Sequence, residues 1–442
     1  MQTLITDKLR LGDFYFEETK YCSQWMYTEI DKFCHSLEQK CGNSSPFVYL
    51  YATNHIKTVV ALFAIIKSGK ICVLIEPQVG KIELSEYKTD LCPSAELRFD
   101  NEKESVCFFP NATPPAFPQT LSDVCMILFA CAEKGRSRPV LLTSNNLISN
   151  AENVALYNKV SELSTSCALI PFCHLFAMQT GVITPSLVGG SVFISEMISV
   201  SNFKTVLGQL VRHNITHFYS IPLVYYMLNK WTGEQMKNVI SYICGGYKLS
   251  ESIYRSCLKK EINILEGYGL TETSPISACH RPGDKVNIGS VGKPFGDYQI
   301  HIDRSENESE KSGEILISGK HVMKGYYGVS DDAGIDQYSR FRSGDLGYLD
   351  DENYLILTGM KKSMYNVTGK KVYKRELERI LLLHENVSSV ETSAEKSAIN
   401  GDSIKARIEL RNNSQSEQES FLNWCKVNVT AYKIPREIEF FG

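Results

Sequence analysis

The chain lacks a strong net charge, a long apolar run and an N-terminal targeting signal. Its formal net charge of −3 gives no electrostatic reason to expect nucleic acid or an anionic membrane as a partner. No stretch approaches the roughly 18 uninterrupted apolar residues of a membrane-spanning helix, so no span is predicted. The N-terminus has no basic region followed by an apolar core, which argues against secretion and predicts a cytoplasmic protein.

The 14 cysteines are scattered along the chain, without a C-x-x-C pair or a cluster at zinc-binding spacing. Without a secretory signal, this pattern is typical of reduced, mostly buried cysteines, so neither disulfides nor a cysteine metal site are predicted. Cys131 is a partial exception, because Lys134, Arg136 and Arg138 nearby could lower its thiol pKa. Covalent acyl transfer through Cys131 is therefore a hypothesis, although no histidine lies near it in sequence.

The length of 442 residues exceeds the size at which one hydrophobic core keeps growing, so more than one domain is expected. Strand and helix patterns alternate over the first 120 residues and again over about 165–280, which predicts βαβ units with a parallel sheet. Residues 298–358 have short strands separated by polar turns. We therefore predict an α/β fold, with a large N-terminal domain of βαβ-type subdomains and a small β-rich subdomain over 1–358. A small, mobile α+β lid is predicted over 359–442.

Individual elements follow from hydrophobic periodicity. Strands are predicted over residues 47–50, 71–75, 167–170, 191–194 and 216–219, and helices over 58–67, 375–383 and near 418–428.

The stretch EGYGLTET, residues 266–273, follows an apolar run that predicts a buried strand. It is expected on the loop that leaves the carboxyl end of this strand, where open α/β sheets bind ligands. Its glycines let the backbone approach a ligand, and Tyr268 offers a flat face to a base. Thr271 can donate a hydroxyl to a phosphate, and Glu272 is a hard oxygen ligand for Mg²⁺. These are components of a nucleotide site; a glycine-rich turn with a solvated glutamate is the alternative.

This stretch resembles the G-Y-G-x-T-E signature of the AMP-forming adenylating enzymes, which include acyl- and aryl-CoA ligases, luciferases and peptide-synthetase adenylation domains. Further segments are similar to family motifs, occur in the family's order and extend the resemblance over about residues 45–441. They are PFCHLFAM (171–178), GGYKL (245–249), VGKP (291–294), GEI (313–315), MKGYY (323–327) and FRSGDLG (341–347).

The resemblance implies how ATP or AMP would bind. Tyr268 would stack on adenine, Thr271 would contact the α-phosphate, and Glu272 would hold Mg²⁺. Asp345 would accept hydrogen bonds from both ribose hydroxyls, because a carboxylate can accept from two donors at once; a plain turn aspartate is the alternative. Arg138 stands where the family has the lysine of its phosphate loop. The other nucleotide-binding positions would be Gly246 and Tyr247.

The resemblance also implies an acyl pocket and a tunnel for the pantetheine arm of CoA. His174 would border the pocket and join Thr271 and Glu272 as a catalytic residue, although a satisfied core histidine is nearly as well supported. Residues 218–227 are aromatic and apolar, which favours an aromatic, polyketide or medium-length acyl group; core packing is the alternative. The implied pocket residues are His174, Tyr219, Gly245 and Gly267, and the implied tunnel residues are Lys362, Asn366, Thr368 and Gly369.

Three departures from the family pattern bear on catalysis. Residues 130–139, ACAEKGRSRP, replace a Ser/Thr/Gly-rich phosphate loop, and Glu133 adds a negative charge near the expected phosphates. Met360 stands in place of an arginine that binds ribose or phosphate. The family's bridging lysine would follow Gly442, so the sequence is expected to lack it. The resemblance therefore implies a divergent member whose use of ATP and Mg²⁺ is weak or vestigial.

Two functions of different classes are consistent with these residues. The first is an acyl- or aryl-CoA (or acyl-carrier-protein) ligase with weak adenylation. The second is an ATP-independent, degenerate ligase that transfers a preformed thioester or binds a carrier protein in a biosynthetic pathway, such as secondary metabolism. Because the tunnel segment is kept while the adenylation segments have departed, both hypotheses expect CoA or phosphopantetheine to bind.

Overall fold

The structure, a computed structural model, describes most of the chain. The described ranges are 5–42, 44–100, 104–113, 121–130, 136–196, 198–232, 236–305, 311–328, 334–361, 364–397 and 401–441. Cys131, with the other residues of the divergent phosphate loop over 131–135, and Lys362 lie outside them.

The strands of the described residues are numbered in chain order. They are β1 Phe14–Phe16, β2 Thr19–Tyr21, β3 Phe47–Tyr51, β4 Ile71–Ile75, β5 Ala95–Phe99, β6 Glu104–Phe108, β7 Val124–Ala130, β8 Arg138–Thr143, β9 Thr165–Ala168, β10 Ser191–Ile194, β11 His217–Ser220, β12 Ser241–Cys244, β13 Ile264–Tyr268, β14 Ala278–Cys279, β15 Lys293–Pro294, β16 Gln299–Asp303, β17 Gly313–Ser318, β18 Gly325–Tyr326, β19 Phe341–Leu349, β20 Leu355–Met360, β21 Met364–Val367, β22 Lys370–Tyr373, β23 Val387–Ser397, β24 Gly401–Leu410 and β25 Glu437–Phe441.

The α-helices of the same residues are short to medium in length, and none is long and apolar enough to cross a membrane. They are α1 Ser23–Cys41, α2 Ile56–Lys67, α3 Lys81–Leu91, α4 Ser144–Asn158, α5 Leu175–Met178, α6 Thr184–Val188, α7 Phe203–Arg212, α8 Pro222–Lys230, α9 Glu251–Leu258, α10 Lys374–Leu381 and α11 Gln415–Asn428.

Two large sheets form the N-terminal part of the fold. One has seven strands in the order β18-β8-β7-β4-β3-β5-β6, and the other has nine in the order β15-β14-β13-β12-β11-β9-β10-β1-β2. The pairs β3–β4, β3–β5 and β4–β7 are parallel, as the βαβ pattern predicts. Helix α2 lies between the sheets, which explains why ten of its 12 residues are buried. The predicted α/β fold class is confirmed.

The remaining strands form two smaller sheets. Strands β16, β17, β19 and β20 pair antiparallel, because residues 298–358 consist of short strands and polar turns. From residue 364 onward, β21–β25 form a separate sheet that shares its own apolar core with α10 and α11. We refer to residues 364–441 as the lid.

The glycine-rich motif lies partly within a strand rather than wholly on a loop. Strand β13 extends to Tyr268, because Gly267 and Tyr268 pair antiparallel with the short strand β14. Only the residues after Tyr268 leave the sheet, and they make a short 3₁₀ turn at Thr271–Thr273. The prediction that a loop begins at residue 266, directly after the apolar run, was therefore wrong by three residues. The additional strand pairing makes Gly267 and Tyr268 more rigid.

Asn54 joins the two large sheets near the carboxyl ends of their parallel strands. Its side-chain amide donates to the carbonyl oxygens of Ile170 and Ser195, both at 3.1 Å, and its Oδ1 accepts from the Phe172 amide at 2.9 Å. Asn54 follows β3 of one sheet, whereas its partners follow β9 and β10 of the other. This single side chain therefore fixes the segment that leads to His174.

We expect Asn54→Ala to lower the free energy of unfolding by about 2 to 3 kcal/mol, because it leaves several buried backbone groups without partners. Urea denaturation measures the change. Asn423→Ala, at an exposed position of α11, is the control and should stay within about 0.5 kcal/mol of the parent. Equal stability of the two variants would contradict the joining role of Asn54.

Candidate active site

Two cavities meet where the lid faces the N-terminal sheets. The first has a volume of about 400 Å³ and lies at the end of β13. The second has a volume of about 590 Å³ and is mostly apolar. They share four lining residues, Glu76, His174, Lys370 and Tyr432, so the two spaces adjoin.

The residues predicted to bind a nucleotide converge on the first cavity. Tyr268, Thr271, Glu272, Gly246 and Arg138 all line it. Tyr247 does not line either cavity. Its hydroxyl accepts from the Leu223 amide at 3.1 Å and so anchors a loop instead.

Asp345 lies directly behind Tyr268. The Tyr268 hydroxyl donates to Asp345 Oδ2 at 2.8 Å, and Lys371 Nζ of the lid lies 3.1 Å from both carboxylate oxygens. Burial, together with the adjacent Asp345 charge, raises the pKa of Tyr268, so its hydroxyl remains a donor. The carboxylate is therefore oriented by one neutral and one cationic donor.

Glu272 lies deep in the first cavity. It is buried, and its Oε1 accepts from the Tyr326 hydroxyl at 2.8 Å. Burial raises the pKa of Glu272, whereas the hydrogen bond from Tyr326 opposes that rise. The Arg138 guanidinium stacks 5.3 Å from the centre of the Tyr326 ring. An acid, a phenol and a cation thus form one connected wall.

The chemistry of this wall fits a Mg²⁺ ion shared with a substrate phosphate. Proteins commonly hold Mg²⁺ through one or two carboxylates, with phosphate oxygens and waters completing the shell. Glu272 supplies such a carboxylate, and it lines the cavity. In the described ranges, no group of three or more His, Cys, Asp or Glu side chains could hold a metal without substrate.

His174, Gly245 and Gly267, assigned to the acyl pocket, also line the first cavity. Burial and the nearby Lys370 charge lower the pKa of His174 well below 6.5, so its imidazole is neutral. A Cβ on Gly245 would lie 3.5 Å from the Phe176 ring, so the glycine keeps this wall flat. The pocket is therefore apolar and closely bounded on this side.

Tyr219 is buried in the core and is not among the residues that line these two cavities. Its ring packs edge-on against Phe176 at 6.4 Å. All four residues of β11 are buried, and none of them lines the first cavity. From the same segment, Ser220, Ile221, Leu223 and Val224 line the second cavity instead.

The predicted tunnel residues of the lid contact the N-terminal domain. Asn366 Nδ2 donates to the Gly246 carbonyl oxygen at 3.1 Å, and Asn366 Oδ1 accepts from the Gly369 amide at 3.0 Å. Gly246 and Gly369 both have φ of +91°, and a Cβ on Gly246 would lie 3.3 Å from Gly369 Cα. Thr368 lines the second cavity, whereas Gly369 lines the first. These residues therefore lie where the cavities join.

The sequence reasoning missed the two lysines that follow Gly369. Lys370 pairs with Glu76, and Lys371 pairs with Asp345. Both lie on β22, where successive side chains point to opposite faces, and that alternation was the available signal. Cys173 donates to Glu76 Oε2 at 3.2 Å, and burial raises its thiol pKa, so Cys173 is not an activated nucleophile.

Comparison with known proteins gives one family and consistent relatives. Residues 14–327 match the family described as AMP-binding enzyme. A feruloyl-CoA synthase of Amycolatopsis sp is 24% identical over 88% of this chain and 83% of its own length. A 2-succinylbenzoate–CoA ligase of Bacillus velezensis is 26% identical over 95% of this chain and 88% of its own length.

Solved structures share the fold along nearly the whole chain. A double mutant of the o-succinylbenzoate CoA synthetase of Bacillus subtilis, bound with its product analogue OSB-NCoA, gives a TM-score of 0.85 at 19% identity. The same enzyme in complex with the acyl-adenylate OSB-AMP gives 0.71 at 19% identity. Each covers 98% of this chain and 92% of the other.

The neutral state of His174 predicts a pH dependence. Its folded-state pKa is lowered, so it favours folding fully above the ordinary value of 6.5 and progressively less as pH falls toward the lowered value. Between about pH 7.5 and 5.5, this one group should account for a loss of stability on the order of 1 kcal/mol. Over the same pH range, the free energy of unfolding of His174→Gln, measured by urea denaturation, should fall by that much less than the free energy of unfolding of the parent. Parallel pH profiles for the two proteins would contradict the assignment.

Proposed function

The chain belongs to the AMP-binding enzyme family, and on that premise we propose that it is an acid–thiol ligase. It joins a carboxylic acid to the thiol of CoA, or of a carrier protein's phosphopantetheine arm, through an acyl-adenylate. One observation carries the proposal: the cavity lined by the nucleotide motif and the cavity lined by the lid's Thr368 adjoin at His174 and Lys370. A reaction in two steps needs such a shared point.

In the first step, the acid's carboxylate attacks the α-phosphorus of ATP and pyrophosphate leaves. Thr271 donates its hydroxyl to the α-phosphate, and Arg138 offsets the negative charge that develops. A Mg²⁺ ion held by Glu272 would neutralise phosphate charge. Tyr268 and Asp345 hold the adenosine. The Asp345 carboxylate, which binds Lys371 in the structure, accepts from the ribose hydroxyls instead.

In the second step, the thiol reaches the adenylate through the second cavity. The thiol gives its proton to solvent water, its sulfur bonds to the acyl carbon, and the acyl–phosphate bond breaks with the electron pair leaving on AMP. The apolar lining of this cavity suits the pantetheine arm, and the neutral His174 adds no charge at the junction.

The lid position supports the thioester-forming step. The chain resembles the o-succinylbenzoate CoA synthetase more closely in its product-analogue complex than in its adenylate complex, with TM-scores of 0.85 and 0.71. The contact between Gly246 and Gly369 lies beside Thr368, which lines the second cavity, and this supports the assignment of these lid residues to the tunnel.

The substrate that fits best is an aromatic carboxylic acid. Phe176, Ile243 and Ile276 line the first cavity. Gly245 and Gly267 line it as well, and because they have no side chains they leave room there for a flat ring. The names of two relatives, a feruloyl-CoA synthase and a 2-succinylbenzoate–CoA ligase, describe aromatic acids.

A second function, thioester transfer or carrier-protein binding without ATP, rests on two departures. Residues 130–134, which precede Gly135, lack the hydroxyls of a phosphate cradle. Met360 pairs with Asp345 in the register of β19 and β20, so an apolar side chain lies beside the ribose carboxylate where an arginine is expected. Both departures weaken adenylation and leave the thiol channel intact.

Acid-dependent pyrophosphate exchange, run with aromatic and medium-chain acids, distinguishes these functions. The ligase should exchange, and ATP, AMP and CoA should each raise its melting temperature. Asp345→Ala should weaken AMP binding by about tenfold to a hundredfold, because charge-assisted hydrogen bonds are lost, and should spare CoA binding. Asp351→Ala, at an exposed turn, is the control.

Stabilisation by CoA alone, without exchange for any acid, would favour the ATP-independent function. An unchanged melting temperature with all three ligands would refute both.

Gly369→Trp should block CoA binding, because the indole would fill the junction and separate Gly369 from Gly246. Isothermal titration with CoA measures the loss, and thermal melting confirms that the variant folds. Gly289→Trp is the matched control, since Gly289 also has a positive φ, of +93°, and a Cβ there meets nothing within 4 Å. Unchanged CoA affinity in Gly369→Trp would rule out this junction as the thiol path.

A further inference from the structure

The lid docks on the N-terminal end of α3 through one threonine. Gly80 is the N-cap of α3 and has no side chain with which to cap it. The Gly80 amide donates to Thr430 Oγ1 of the lid at 3.1 Å. The Thr430 amide donates to Glu83 Oε2 at 2.9 Å, and the Thr430 hydroxyl also donates to this oxygen. Thr430 thus bridges the N-cap amide of α3 and the carboxylate of its third residue, two groups that bond directly to each other in a capping box.

The same contact buries three charges. Lys433 Nζ lies 2.7 Å from Glu83 Oε1 and 3.0 Å from Glu376 Oε1, and its side chain is 1% exposed. Ser137, one residue before Arg138, donates its hydroxyl to Glu376 at 2.7 Å. The cluster therefore ties α3, the lid and the end of the phosphate loop together.

The shape of the contact is as restrictive as its charges. A Cβ on Gly80 would lie 2.4 Å from the Asn428 carbonyl oxygen, so only glycine allows this approach. The Ala431 amide donates to the Gln78 carbonyl oxygen at 3.4 Å. Residues 428–433 of the lid therefore fit a socket formed by residues 78–83.

We infer that Glu83 is a positioning residue, which holds the lid in the position that forms the thioester. Its carboxylate satisfies both Thr430 and Lys433, and each of these groups returns to water when the lid moves away. Loss of Glu83 therefore penalises the docked lid and leaves the undocked lid unaffected. The catalytic part of this inference rests on the proposed ligase function, whereas the docking part does not.

Amide hydrogen exchange tests docking without any substrate. In Glu83→Leu, peptides covering 78–84 and 428–434 should exchange about a hundredfold faster, because buried charge-assisted hydrogen bonds no longer oppose lid opening. Peptides covering the central strand β3 should be unchanged. Lys88→Ala is the control, since Lys88 lies on the same helix and pairs with Glu96 of the same domain. Equal exchange in Glu83→Leu and the parent would overturn the inference.

Partial reactions test positioning. In Glu83→Leu, thioester formation from presynthesised feruloyl-AMP and CoA should fall by about tenfold or more, while pyrophosphate exchange with ferulic acid changes by less than about twofold. Glu83→Gln, which keeps one acceptor oxygen, should be intermediate. When Glu83→Leu is combined with Thr430→Val, the loss of thioester formation should be less than the two single losses together, because both substitutions remove the same contact. Equal losses in the two partial reactions would overturn the positioning role.

If the parent shows neither partial reaction, the proposed function fails, and the exchange measurement still decides the docking role of Glu83.

Discussion

The contact between the Gly246 and Gly369 backbones is the constraint on which the site depends. Neither residue has a side chain, and both adopt positive φ, so two main chains from different domains can meet. Strand β22 starts directly after this contact. Its first two side chains then point in opposite directions, toward Glu76 and toward Asp345. The close approach of these two glycines thus brings the lid against both cavities.

Ion pairs across the interface give the docked lid its specificity rather than a large net stability. Lys370, Lys371 and Lys433 meet carboxylates of the N-terminal domain, and each carboxylate also accepts a neutral hydrogen bond. Buried pairs repay their desolvation only when such further hydrogen bonds are present. Because water can replace the same partners, the lid can leave this position at moderate cost. Such a balance would suit the mobile lid that the sequence predicts.

Motif reading predicted the fold and the residues that surround the first cavity, because glycine, hydroxyl and carboxylate positions within a motif have fixed geometric purposes. Tyr268 and Asp345 lie 77 positions apart and yet share a hydrogen bond, which the family order implied. Pairings made through the lid could not be predicted, since Glu76 and Glu83 belong to no motif and their partners are more than 290 positions away. The side of the strand on which Tyr219 lies was also unpredictable, because a strand buried on both faces has no polar alternation.

The glycine at the start of α3 links two regions that are distant in sequence. The first turn of this helix obtains part of its hydrogen bonding only from the docked lid, while its other end holds Arg136 through Asp90 at 3.1 Å and the Glu86 carbonyl at 3.2 Å. Arg136 precedes the residues that close the phosphate loop. By thermodynamic reciprocity, an anion that favours lid docking when it binds at Arg136 must itself bind more tightly to the docked form, by the same free energy. Helix α3 thus connects the lid interface with Arg136, and the amide at its N-cap finds its partner only where the two domains meet.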